Sequence, residues 1–188
     1  RNFSKQVITV GPESRGKDEH KITMRYKIAK PIIINGTYSI GNKSLISEGF
    51  TSKNYNIPYQ VIEPKITFIK GSVFRTSVYY QYTSSSNNEG GEVLSSNELT
   101  FDLRYNVVAK STITTKFSYI AITFDGIEDS PVGYAMLEGL NNGNNILWNV
   151  SIDRKLSQLL QLTASYEGRK TGDNAITHVG RLQMRAIF

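Results

Sequence analysis

The sequence of 188 residues has no cysteine, two histidines, five prolines and one tryptophan. The lack of cysteine leaves no disulfide framework and no cysteine-ligated metal site. The two histidines, His20 and His178, are far apart in the chain, so we predict no histidine-based metal centre and no cofactor. No run approaches the roughly 18 consecutive apolar residues of a membrane-spanning helix. Disulfide-stapled domains, zinc proteins and helical membrane proteins are therefore not supported.

What the sequence has in abundance is alternation of apolar and polar residues. In the segment 98–107, Leu99, Phe101, Leu103, Tyr105 and Val107 are separated by polar or charged residues. A period of two puts these side chains on one face of a β-strand. Clear or weaker alternation also marks the segments 5–10, 20–28, 32–40, 55–68, 74–82, 112–124, 146–152, 160–167 and 178–188. No stretch has a convincing helical period, and 135–140 is the one candidate for a short helical turn.

The connections between these segments alternate between short and long. The short ones are 30–31, 70–71, 109–111 and 153–158, and the long ones are 11–19, 41–54, 84–92, 126–144 and 168–175. Membrane β-barrels have this asymmetry, with tight periplasmic turns and long extracellular loops. The sequence therefore predicts an all-β fold, an antiparallel transmembrane β-barrel of about ten strands or the last strands of a larger barrel. We expect it in the bacterial outer membrane, with the short turns and the C-terminus periplasmic.

The last eleven residues form a strand with one apolar and one charged side. Its two faces carry Gly180, Leu182, Met184, Ala186 and Phe188 on one side and Arg181, Gln183 and Arg185 on the other. This ending, HVGRLQMRAIF (178–188), follows the motifs LEGLNNGNNILWN (137–149) and YEGRK (166–170). The three motifs in this order resemble the C-terminal ends of large outer-membrane proteins of Bacteroidetes.

The resemblance implies that residues 1–188 are an outer-membrane β-barrel domain and the C-terminal part of a longer chain. It implies an assembly signal at Gly180, Met184 and Phe188 that the barrel-assembly machinery reads. The general signal has a glycine and a further aromatic residue close to the terminal aromatic, where this chain has Gln183 and Ala186. The other partners expected are outer-membrane lipid and further outer-membrane or periplasmic proteins.

The alternation also predicts which side chains face lipid and which face a lumen. The predicted lipid-facing residues are Val78, Phe101, Leu103, Leu162 and Met184. The predicted lumen charges are Lys21, Arg25, Lys27, Arg75, Arg104, Arg181, Arg185, Glu98, Asp102 and Glu167. In a barrel of about ten strands these charges would fill the interior and pair into a plug. Alternatively, the basic excess lines a conduit that favours anions.

Few residues of the sequence suggest catalysis, metal binding or nucleic-acid binding. No catalytic set stands out, so we expect no enzyme. An enzyme acting on lipid or peptide needs a histidine close to an aspartate or serine, and the candidates here are His178 with Asp173 or Ser165, which nothing in the spacing demands. The acidic loop 125–129 is a weak candidate for a calcium site. The cations are spread along strands without a patch of stacking aromatics, so no nucleic-acid partner is expected.

Three functions are compatible with these patterns. The preferred one is a membrane anchor or component of a larger outer-membrane complex, with its lumen plugged by charged side chains. The first alternative is a pore or transport barrel for import or protein export, and the second is the barrel enzyme.

Overall fold

The computed structural model describes residues 2–8, 11–107 and 111–186, with residues 2–8 and 11 described by their backbone alone. The described residues form ten strands and two short helical segments. The strands are β1 (Asn2–Ile8), β2 (Gly11–Ala29), β3 (Ile32–Ser47), β4 (Tyr55–Lys70), β5 (Phe74–Ser86), β6 (Val93–Val107), β7 (Ser111–Asp125), β8 (Gly143–Lys155), β9 (Leu160–Thr171) and β10 (Thr177–Ala186). A 3-10 turn lies at Thr51–Lys53, and one α-helix, α1, at Pro131–Leu137.

The strands form one sheet whose order follows the chain from β1 to β10, with every neighbouring pair antiparallel. Antiparallel neighbours need only a short reversal of the chain, so a sequence of alternating strands and turns folds naturally into this meander. The predicted all-β antiparallel fold is confirmed. No helix in the described part of the chain is long and apolar enough to cross a membrane.

The register gives the sheet one polar and one apolar face. Thr100 of β6 is opposite Ser118 of β7, whereas the next residue, Phe101, is opposite Phe117. Successive side chains of a strand point to opposite sides, so the alternation of the sequence becomes a difference between the faces. We call the side that bears Thr100 the inner face and the side that bears Phe101 the outer face.

The two ends of the sheet differ in their connections. At the turn end, residues 30–31, 71–73 and 156–159 join consecutive strands. At the loop end, the joining segments are 48–54, 87–92, 126–142 and 172–176. The connections at 9–10 and 108–110 lie outside the described residues, and with the latter most of the predicted short turn at 109–111. Among the described connections, the predicted alternation of short and long is present.

The predicted loop at 11–19 is wrong, because this segment is strand. Residues 11–17 pair with β1, and residues 13–19 pair with β3. The predicted loop at 41–54 also begins with strand, since β3 continues to Ser47. Both segments are polar, and the hydrogen-bonded backbone ladder extends without the apolar alternation by which a half-buried strand is recognised in a sequence.

Helix α1 lies in the long 126–142 segment and has clear sequence causes. Ser130 caps it by accepting a hydrogen bond from the Gly133 backbone N–H at 2.9 Å, and Pro131 occupies the first turn. The helix ends where Glu138 and Gly139 take the left-handed conformation. The helical turn predicted at 135–140 is therefore present, but it begins earlier, at the Ser-Pro pair.

The apolar core is formed by α1 against the inner face at the loop end. Val132, Met136 and Leu137 of the helix are buried with side chains from three strands. Those strand residues are Ile57, Leu94, Ile120, Ile122 and Phe124. Full burial of such a side chain contributes roughly 1.5–3 kcal/mol, so this cluster holds the 126–142 segment inside the curve of the sheet.

Two groups of aromatic residues border the outer face. At the turn end, the ring of Phe74 meets Phe68 and Tyr105 edge-on, with centroids 6.1 and 6.5 Å apart. Toward the loop end, the hydroxyls of Tyr80 and Tyr119 each donate to an asparagine of a neighbouring strand, at 2.5 and 2.9 Å. We call these groups the lower and the upper aromatic belt.

Between the belts, the outer face carries large apolar side chains that nothing in the described structure covers. Leu99 is the β6 residue opposite both Tyr80 and Tyr119, and it lies six positions before Tyr105. Six residues of strand span about 20 Å. The exposed apolar residues of this zone include Ile66, Val78, Leu99, Phe101 and Phe117. An apolar band bordered by aromatics is the pattern of a transmembrane barrel surface.

Candidate functional site

All ten predicted lumen charges lie on the inner face. Arg75, Arg104 and Arg181 share one row across the sheet, separated by Thr114, Ser151 and Ser165. The next row contains Lys27, Asp102 and Glu167. The remaining four, Lys21, Arg25, Glu98 and Arg185, lie on the same side of their strands.

These charges do not pair with one another. Within the described chain, the ion pairs join Arg15 to Glu13, Lys17 to Glu19, and Lys43 to Glu138, all near the loop end. None includes a member of the predicted lumen cluster. The ion-paired plug remains a prediction, for which the described part of the chain supplies no ion pair.

Helix α1 covers a cavity of about 330 Å³ at the loop end of the inner face. Its floor includes the apolar Ile57 and Ile122, and its rim carries Lys21, Glu63 and Glu98. The helix is held on the polar side by an ion pair between Lys43 and Glu138 and by Arg169, which donates to the Gly139 carbonyl at 2.5 Å. The 126–142 segment thus occupies part of the space over the inner face, and the rest of that face stays accessible to water.

Tyr59 is the central side chain of this rim. The ammonium groups of Lys17 and Lys43 lie 5.9 and 5.6 Å from the centre of its ring, which is within the range of cation–π attraction. The ring covers Gly41, its cross-strand partner, where a Cβ would come within 2.6 Å of the ring. The sequence prediction missed this site, although a glycine in a strand is a signal for close approach of a neighbouring group.

His178 belongs to an aromatic group on the outer face. Its Nδ1 is 2.7 Å from the Tyr166 hydroxyl, and its ring contacts those of Tyr166 and Trp148. Ser165 is opposite Arg181 on the inner face, so the structure does not bring it to His178. The structure therefore separates Ser165 from His178, which lies on the outer face in the same row as Trp148 and Phe117.

The acidic loop 125–129 gives no support to a calcium site. Glu128 accepts a hydrogen bond from the Asn142 backbone N–H at 3.4 Å, which ties the two ends of the 126–142 segment together. No group of three potential metal-binding side chains is found in the part of the chain that the structure describes.

The predicted lipid-facing residues share the outer face. Val78 and Phe101 are direct cross-strand partners, and Leu162 and Met184 are partners at the other edge of the sheet. Leu103 points to the same side as Phe101, two positions along β6. Gly180 and Met184 of the predicted assembly signal are on the outer face of β10, whereas Phe188 lies outside the described residues.

Among the described residues, no further strand pairs with either edge of the sheet at the turn end. All ten residues of β10 are exposed, and so are residues 20–29 of β2, which pair with β3 alone. Strands in the middle of the sheet instead alternate between exposed and less exposed residues. The inner-face cations of these two edges, Lys21, Arg25, Lys27, Arg181 and Arg185, consequently face open space.

No family model and no curated protein sequence matches this chain. Several solved structures of outer-membrane proteins match its fold. OmpT of Vibrio cholerae in its trimer form has a TM-score of 0.65 at 9% identity, over 97% of this chain and 63% of that one. Outer-membrane expressed OmpT of Vibrio cholerae has a TM-score of 0.61 at 8% identity, over 89% and 53%. The siderophore receptor PirA from Pseudomonas aeruginosa has a TM-score of 0.59 at 10% identity, over 98% and 36%.

The chain thus has the fold of outer-membrane β-barrels and spans less than two thirds of the length of each of these structures. The narrower resemblance to Bacteroidetes proteins stays a prediction.

The prediction that the chain is not an enzyme has to be corrected. It was based on the lack of an evident catalytic set in the sequence. The barrels that share this fold include OmpT as well as a siderophore receptor, and a fold does not determine a function. The exclusion of enzymatic activity therefore has no basis and is withdrawn.

Proposed function

We propose that this chain forms part of the wall of a bacterial outer-membrane β-barrel that surrounds a water-filled, basic passage. The outer face lies against lipid between the two aromatic belts, with the loop end outside the cell and the turn end in the periplasm. The apolar zone of about 20 Å on β6 supports this placement, because the outward apolar band of such barrels is about 25 Å tall.

Further strands complete the barrel between β10 and the turn-end half of β2. Both edges present unpaired backbone groups at membrane depth, and such groups cost several kcal/mol each in lipid. A barrel wider than ten strands also leaves room for water inside. The greater length of the OmpT and PirA chains supports this proposal.

The exposure of Arg75 and Arg104 and their lack of partners favour a water-filled passage and not an ion-paired plug. Both are in the middle of the sheet, far from the open edges, and both are exposed on the inner face. Neither forms a hydrogen bond or an ion pair with another described residue. Charges packed into a dry interior would need partners, whereas charges on a hydrated wall do not.

Helix α1 supplies the constriction of this passage. It occupies the inner face at the loop end, where a solute would enter, and it is held by apolar contacts and by the Lys43–Glu138 ion pair. A barrel of this design would pass small solutes, with a preference for anions because of its basic wall.

Conductance across a planar bilayer tests the passage. The native full-length protein is compared with a variant in which residues 127–141 are replaced by a short Gly-Ser linker. We expect the parent to conduct with a preference for chloride over potassium, and the variant to conduct several times more. The passage would be contradicted if neither protein conducts although both are correctly folded and inserted. Migration on unheated gels shows whether they are.

The second candidate is an anchor or complex component with an occluded lumen. The packing of α1 against the inner face favours it, since the same contacts that narrow the barrel would close a smaller one. This function predicts that the parent is silent in the bilayer and that removal of the 127–141 segment alone opens it.

A further inference from the structure

Arg75 and Arg104 are direct cross-strand partners on the inner face. The Cβ atoms of such a pair are about 4.5–5.5 Å apart, and like charges in this position destabilise a sheet. This arrangement lowers the stability of the sheet unless a group of opposite charge offsets the repulsion. Neither guanidinium has a partner among the described residues, so none of their N–H donors is used within that part of the chain.

Asp102, the acid in the lining of the same space, is already opposed by a cation. Asp102 lies two residues before Arg104 on the same face, and it is the direct cross-strand partner of Lys116. Lys65 adds a further cation beside the pair, with its ammonium 5.0 Å from the centre of the Tyr79 ring. The neighbourhood of the two arginines therefore keeps an excess of positive charge.

These groups enclose a distinct space. A cavity of about 240 Å³ is lined by Lys65, Arg75, Ser77, Asp102, Arg104 and Thr114. The hydroxyl of Thr114, opposite Arg104, has no hydrogen-bond partner in the described chain and is free to donate. The hydroxyl of Ser77, which also lines the cavity, is 3.1 Å from that of Thr67, within hydrogen-bond distance.

We propose that the Arg75–Arg104 pair binds a small oxyanion, a phosphate or carboxylate group of a solute, in this cavity. Two guanidinium groups supply parallel N–H donors that match the oxygens of such an anion, which is a geometry that lysine does not offer. The bound anion cancels the repulsion between the arginines. The site depends on the inner face alone and not on whether the barrel conducts.

Titration with inorganic phosphate tests the site. The native full-length protein in detergent micelles is studied by isothermal calorimetry, at an ionic strength held constant with sodium chloride. We expect saturable binding, weakened at least tenfold by Arg75→Gln and by Arg104→Gln. Arg25→Gln is the matched control, because Arg25 is an inner-face arginine outside this cavity, and it should bind as the parent does. No saturable heat in the parent, or an equal loss in the control, would overturn the proposal.

Thermal unfolding of the same proteins gives a readout that does not depend on heats of binding. Without phosphate, Arg75→Gln should unfold at a higher temperature than the parent, because the like-charge pair is gone. Phosphate should then raise the unfolding temperature of the parent and leave that of the variant unchanged. Equal stabilisation of both proteins by phosphate would overturn the proposal. Competition by acetate would show that the site also accepts carboxylates, whereas its failure would restrict the ligand to phosphate groups.

Discussion

Gly168 lies directly opposite Trp148, and the indole ring covers the space above it on the outer face. Gly41 and Tyr59 repeat this relation on the inner face. A glycine leaves a gap in a strand, and an aromatic ring on the neighbouring strand closes it, which shields the backbone and pins the register. At the scale of the residue, these two pairs are close contacts between neighbouring strands.

Substitution Gly168→Ala should therefore destabilise the barrel. A Cβ at this position would come within 2.1 Å of the indole, so the ring has to move. We expect a loss of about 1–3 kcal/mol in the free energy of unfolding, as for other overpacked sites, measured by urea titration in lipid vesicles.

Gly180→Ala is the control for this change, because Gly180 is also on the outer face and a Cβ there meets nothing within 4 Å. Equal effects of the two substitutions would show that the contact with Trp148 is not responsible.

At the scale of the element, α1 is the one segment that departs from the meander. One side of this short amphipathic helix is buried, and the other side is exposed to solvent. Met136 is 7% exposed and belongs to the core cluster, whereas Tyr134 is 75% exposed. The helix stays on the inner face because of this apolar side, supported by the ion pair of Lys43 with Glu138.

A charge on the buried side of α1 should release the segment. Met136→Glu places a charged carboxylate in the buried apolar cluster with Ile57, Leu94 and Ile120, which costs free energy. We expect proteolytic cleavage within residues 126–142 to become at least tenfold faster in the intact barrel. The matched control Tyr134→Glu, on the exposed side, should be cleaved like the parent, and a similar rate for all three proteins would refute the packing of α1.

The elements that the sequence predicts well are those with apolar alternation. Phe101 and Leu103 identify β6 and its outer face because half-buried strands require a period of two. Strand 11–19 was missed because it is held by backbone pairing with β1 and β3 and has polar side chains. The position of α1 on the inner face was not predictable, since it depends on contacts with residues of three strands, among which Ile57 is the farthest from α1 along the chain.

The candidate site was predicted in part. The sides of the strands on which Arg75 and Arg104 lie follow from the alternation alone. Their direct opposition does not, because it depends on the register of β5 against β6, which the hydrophobic pattern restricts only to steps of two residues.

At the scale of the whole molecule, the ten strands form a wall with a lipid side and a water side. The outer face carries the apolar zone between the belts, and the inner face carries exposed cations, polar residues and α1. The open edges at β2 and β10 make this wall part of a larger closed structure in our proposal. Every function proposed above depends on the assignment of lipid to the outer face.

Spin-label accessibility along β6 tests that assignment most directly. The sequence has no cysteine, so single substitutions at Phe101, Asp102, Leu103 and Arg104 can each be labelled at one site of this chain. The protein is reconstituted in vesicles, and collision with oxygen, which concentrates in lipid, is compared with collision with a water-soluble nickel chelate. We predict high oxygen access at 101 and 103 and high nickel access at 102 and 104. Equal access to both reagents at all four positions would contradict a membrane-spanning wall.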